Sequence, residues 1–111
     1  MNINIKATNT TVTDASRSNI EDKLAVLEKF LKSEDKVFVE IVDDSHNQKG
    51  LFSRVEIRIS PHGYFAEANG VDFYQALDLV LPKITQQLSR TKEKRISLRR
   101  KIGNLFKGLR E

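Results

Sequence analysis

At 111 residues and 39% hydrophobic composition, the chain has room for one domain with a single modest core. It contains no cysteine, which excludes disulfides, cysteine nucleophiles and thiolate metal sites. The net charge of +4 conceals a split: residues 1–82 hold nine Lys/Arg against thirteen Asp/Glu, whereas residues 83–110 hold ten Lys/Arg against Glu93 alone. Such polarisation points to a polyanionic partner, nucleic acid first and an anionic membrane surface second. No run of 18 apolar residues exists to span a membrane, and the N-terminus has neither a signal-peptide nor a transit-peptide pattern. A cytoplasmic protein is the expectation.

Asn2 to Thr8 alternates, with Ile3, Ile5 and Ala7 on one side, as a half-buried strand does. Thr13 is placed to cap a helix over Asp14 to Lys32, whose stripe is Ile20, Leu24, Leu27 and Leu31, with Glu28 and Lys32 as a supporting i,i+4 pair. Lys36 to Asp43 is β-branched and reads as a second strand, followed by a polar turn from Asp44 to Gly50. Ser53 to Ser60 alternates, with Val55, Ile57 and Ile59 inward and Arg54, Glu56 and Arg58 outward. Pro61-His62-Gly63 is a tight turn, and Tyr64 to Asn69 a fourth strand. With Glu40 and Glu67, the outward residues of the third strand read as a self-neutralising ladder with a structural role.

Val71 to Lys94 is the longest segment with one period. Phe73, Leu77, Val80, Ile84 and Leu88 form its apolar stripe, and Asp72 with Gln75 fits a capping box. Pro82 falls inside the helix, but the stripe continues in phase across it, which predicts a kink and not a stop. Lys83, Arg90 and Lys94 share one flank, and Lys101 would extend it. Cations so aligned suit phosphate contacts, which give affinity and orientation more than sequence reading. The segment 95–111 returns Leu98, Ile102, Leu105, Phe106 and Leu109 at helical spacing, with Arg95, Arg99, Arg100 and Lys101 among its cations. Gly103 and Gly108 weaken it as a free helix, so a basic arm is the preferred reading.

The order β-α-β-β-β-α, with one apolar stripe per helix, gives an α+β two-layer sandwich: a four-stranded sheet with two helices on one face. Residues 1–94 make this domain and 95–111 the tail. Catalysis finds little support. His46 and His62 lie in turns with no cysteine and no second His nearby, and Asp43 and Asp44 point to different sides of a strand end. No P-loop, dinucleotide-binding glycine pattern or H-x-x-x-H is present, so neither cofactor, metal nor small-molecule substrate is expected. Among the aromatics considered for base stacking (Tyr64, Phe65, Phe73 and Tyr74), Phe73 falls on the core stripe and Tyr74 at its edge.

The segments NINIKATN, TDASRSNIEDKLAVLEKF, FAEANG and DFYQALDLVLPKITQQLSRTKEK, in this order, resemble the ribosome hibernation-promoting factors, ribosome-associated translation inhibitors once called sigma-54 modulation proteins. Asp72, Tyr74, Ala76, Asp78, Lys83, Gln87, Leu88 and Lys92 sit where that family's pattern places them. The resemblance implies a fold similar to double-stranded-RNA-binding domains. It also implies binding to the small ribosomal subunit and its rRNA, in the cleft near the decoding centre. There such a protein blocks the paths of messenger and transfer RNA during stress or stationary phase, in some members with a ribosome-dimerisation partner factor. Carried over by position, the implied contacts are Arg17, Lys23 and Lys29 on the first helix and Lys83, Arg90, Lys92 and Lys94 on the second. Asp22, Val26 and Gln86 replace cations common in the family. The alternatives are a general RNA-binding or RNA-chaperone module, and an adaptor that uses the tail on a membrane or protein partner.

Overall fold

The computed structural model describes residues 2–44 and 48–90. Four strands, β1 (Asn2–Thr8), β2 (Lys36–Asp43), β3 (Ser53–Ser60) and β4 (Tyr64–Gly70), form one sheet in that order. β1 runs parallel to β2, and β2, β3 and β4 form an antiparallel meander. Helix α1 (Asp14–Leu24) leads into a 3-10 helix (Ala25–Phe30), and α2 covers residues 73–90. The alternating residues Val37, Val39, Ile41, Val55, Ile57, Ile59, Ala66 and Ala68 point to one side of the sheet. There they form a single core with Ile20, Leu24 and Leu27 of the first helical segment and Ala76, Leu77, Val80, Ile84 and Leu88 of α2. The two-layer sandwich follows from this shared face. Among the described residues, nothing covers the opposite face of the sheet.

Local chemistry sets the element ends. Thr13 Oγ1 accepts from Ser16 N at 3.1 Å and caps α1. Asp72 Oδ1 accepts from Gln75 N at 2.9 Å, and Gln75 Oε1 reaches back to Val71 N at 2.8 Å, closing a capping box one residue wider than usual. Gly63 takes φ 75° in the β3–β4 turn, as the Pro-His-Gly sequence requires. α2 is unbroken at Pro82: Val80, Ile84 and Leu88 remain buried on both sides of it.

The first helix differs from the expectation. α-Helical pairing ends at Leu24, and a tighter 3-10 turn carries the chain to Phe30, with Leu31 already extended. Lys32 therefore lies outside the helix, and the i,i+4 pair with Glu28 does not form. The cause is Asp35, 4% exposed, whose Oδ2 accepts from Lys32 N at 2.8 Å. That side chain takes a backbone donor the helix would otherwise use. His62 is an exposed turn residue, as expected, and its Nε2 stands 3.6 Å from Asp35 Oδ1, where the β3–β4 turn passes the loop before β2. His46 lies outside the described residues.

Candidate nucleic-acid interface

The outward surface of α1, the 3-10 helix and α2 holds the described residues expected to meet phosphate. Arg17, Lys29 and Arg90 are exposed there, with the Lys29 ammonium 5.1 Å from the Phe30 ring centroid. Lys23 is not presented in the same way: its Nζ is bonded to Asp78 Oδ1, linking α1 to α2 across 55 positions of sequence. Lys83 Nζ donates to the Glu67 carbonyl at 3.1 Å, which leaves two of its three N–H groups for another acceptor. Val26, Leu79 and Pro82, all exposed, interrupt the cations. Lys92, Lys94, Arg95, Arg99, Arg100 and Lys101 lie outside the described residues.

The charge of this body is the main departure from a uniformly basic surface. Residues 1–90 hold eleven Lys/Arg and thirteen Asp/Glu, so the chain's positive surplus resides in residues 91–111. The helical layer is close to neutral, and its affinity for a polyanion rests on a few placed side chains.

The residues of the α2 motif have architectural contacts. Asp72 caps the helix, and Tyr74, 47% exposed, lays its ring 4.2 Å from that of Phe73. Ala76 is fully buried against Gly70, and Asp78 holds Lys23. Gln87 pairs with β4 as another strand would: its Nε2 donates to Phe65 O at 2.6 Å, and its Oε1 accepts from Phe65 N at 3.3 Å. With Lys83 one turn earlier, it closes the free edge of β4, whose backbone groups would otherwise be exposed. The signal was the i,i+4 spacing of Lys83 and Gln87, but nothing in the sequence gives which strand they meet.

A Gln87→Ala variant is expected to lose about 1–2 kcal/mol of stability, from two bonds of about 0.5–1.5 kcal/mol each discounted for exposure. Urea titration measures it. Hydrogen exchange at the Phe65 amide should quicken while the Ile57 amide stays protected. An unchanged Phe65 rate would remove the edge-pairing account.

The family model described as Sigma 54 modulation protein / S30EA ribosomal protein matches residues 3–96. The chain belongs to this family. Among members, the ribosome hibernation promoting factor of Azotobacter vinelandii is 32% identical over 86% of this chain and 87% of its own length. The factor of the same name from Salmonella typhimurium is 29% identical over 85% and 96%. The N-terminal domain of Protein Y from Thermus thermophilus, a solved structure, superposes with a TM-score of 0.68 at 28% identity, covering 82% of this chain and 99% of that one. The S30EA fold and the α2 motif thus coincide with the domain described here.

Proposed function

We propose that this chain is a non-enzymatic ribosome hibernation factor of the cytoplasm. It binds the small ribosomal subunit in the cleft near the decoding centre and excludes messenger and transfer RNA by occupying their paths. The observation that carries this reading is the match over residues 3–96, together with relatives named for ribosome hibernation that align over nearly their full length. The helical layer meets rRNA through Arg17, Lys23, Lys29, Lys83 and Arg90, and Lys92 and Lys94 continue that contact. The tail residues Arg95, Arg99, Arg100 and Lys101 add charge. These contacts are phosphate contacts, so binding weakens steeply with salt.

Competition on vacant small subunits tests the proposal. The chain should sediment with subunits at low salt and displace pre-bound transfer RNA and messenger RNA. A chain that stays at the top of the gradient, or binds beside both RNAs without displacing either, overturns it.

A further inference from the structure

The sheet register sorts the outward side chains of the uncovered face into rows. Asn4, Phe38, Arg58 and Phe65 stand opposite one another across the four strands, and Lys6, Glu40, Glu56 and Glu67 make the next row. With Lys36 and Arg54 from the outer rows, the face carries four cations against three carboxylates, close to the self-neutralising ladder expected from the sequence. A face so balanced selects neither a polycation nor a polyanion by charge. Its distinctive feature is aromatic. Phe38 and Phe65 are 40% and 39% exposed, and the Arg58 guanidinium lies 5.5 Å from the Phe65 ring centroid. Between the two rows is a recess of about 450 Å³, within the range of about 300–1,000 Å³ usual for small-ligand sites. Its charged lining is Lys6 and Arg58 against Glu40 and Glu56, so donors and acceptors are both present and their charges cancel. The Thr8 hydroxyl donates to Glu40 Oε1 at 3.2 Å, and Arg54 Nε stands 3.3 Å from Glu56 Oε1. Each contact engages one oxygen of a carboxylate that can accept at two, so both retain acceptor capacity.

We propose that this recess takes one unpaired guanine base of a single-stranded RNA. The complement of exposed rings beside balanced donors and acceptors is an uncharged, planar heterocycle that carries both. A four-stranded sheet with helices on one face and aromatic side chains on the other is a platform on which unpaired bases stack. Arg58 already lies over Phe65, so Phe38 is the ring left for stacking. The polar groups choose among the bases. Guanine alone presents two adjacent donors, N1–H and N2–H, which one carboxylate accepts together, and its O6 and N7 suit the Arg58 guanidinium. Adenine and cytosine set a lone pair beside their amino group, and uracil sets carbonyls on both sides of its single N–H, so each would turn an acceptor toward Glu40 and Glu56. All lining residues lie in strands, so no helix N-terminus or glycine loop is there to cradle the phosphates of a free nucleotide. A strand fits better, because its phosphates lie outside the recess. Lys36, two residues and roughly 7 Å along β2 from Phe38, and Lys6 on β1 are both exposed to meet them. The site is on the opposite side of the sheet from the helical layer and adds to that surface without competing with it. It stands without the ribosome reading; which RNA supplies the base rests on that reading.

Titration of the full chain with short RNAs, followed by NMR, tests this. The probes are a uridine hexamer, the same hexamer with one guanosine or one adenosine at its fourth position, and guanosine monophosphate. Affinity is read at the amides of Phe38, Arg58 and Phe65, which separates this face from phosphate contacts elsewhere. The guanosine hexamer should shift these signals and bind there about tenfold or more tightly than the uridine and adenosine hexamers. Phe38→Ser should weaken that binding by about tenfold or more through lost stacking. Glu40→Gln/Glu56→Gln should keep the stacking but lose the preference for guanine over adenine, because a Gln amide pairs with adenine. Spectra of the free variants establish that the fold is intact. Shifts confined to the helical face, equal binding of the three hexamers, or binding unmoved by both variants overturns the proposal. Guanosine monophosphate that binds as tightly as the guanosine hexamer makes this a site for a free nucleotide and likewise overturns it.

Discussion

Removing residues 95–111 should lower affinity for the small ribosomal subunit by about tenfold or more at physiological salt and flatten its salt dependence. The described body bears more Asp/Glu than Lys/Arg, so long-range attraction to rRNA comes from beyond residue 90. The deleted segment carries six Lys/Arg and one Glu. If all six cations displace counterions from RNA, their loss reduces the log–log salt slope by about 4–5, taking 0.7–0.9 per phosphate contact. Filter binding across a salt series gives both quantities. A truncated chain with unchanged affinity and slope would return the whole electrostatic role to Arg17, Lys23, Lys29, Lys83 and Arg90.

The largest effect on stability is expected at Gly70. This residue ends β4, is buried, and lies against the first turn of α2. A Cβ built there would stand 2.6 Å from Ala76 N and 3.0 Å from both Asp72 O and Gln75 Cβ. The obstacle is largely backbone: Ala76 N donates to Asp72 O at 3.1 Å, so the methyl group would enter the turn's own hydrogen bond. The helix cannot withdraw without lifting Ala76 and Leu77 from the core. Gly70→Ala should cost about 1–3 kcal/mol as overpacking, and more if the cap opens. That is a large share of the roughly 5–15 kcal/mol typical of a domain, and it lowers the melting temperature by about 4–8 °C per kcal/mol. Gly63→Ala is the control. Gly63 has a positive φ of 75° but open space around its Cβ position, so only backbone strain is added. A melt showing Gly63→Ala to be the worse variant would reject the close-approach account.

β2 was legible because it is rich in β-branched residues, and β1 and β3 because period two and burial agree, with Val55, Ile57 and Ile59 inward and Arg54, Glu56 and Arg58 outward. The α2 stripe was legible for the same reason at period 3.6, even across Pro82. The end of α1 was not. Ile20, Leu24, Leu27 and Leu31 stay in phase over so few turns that a 3-10 finish is indistinguishable from an α-helical one, and Asp35 decides between them from outside the segment. Spatial pairings were also hidden. Lys23 and Asp78 are 55 positions apart, and a lysine on a helix flank looks the same whether it awaits phosphate or holds a carboxylate. The carboxylate row on the open face needed the strand register, which places Glu40, Glu56 and Glu67 opposite one another. Composition alone had mixed them with Arg54 and Arg58.

The Gln87 and Lys83 bonds to β4 also bear on how copies of this protein can associate. A sheet with two open edges can add strands at both and grow without limit. Here the β4 end is occupied by side chains of the protein's own helix, and strand addition there must first detach α2 from Phe65 and Glu67. Edge pairing is thereby directed to β1. Association through one edge alone closes as a two-fold pair, so the same contacts that finish the fold act as a chain terminator against fibre growth.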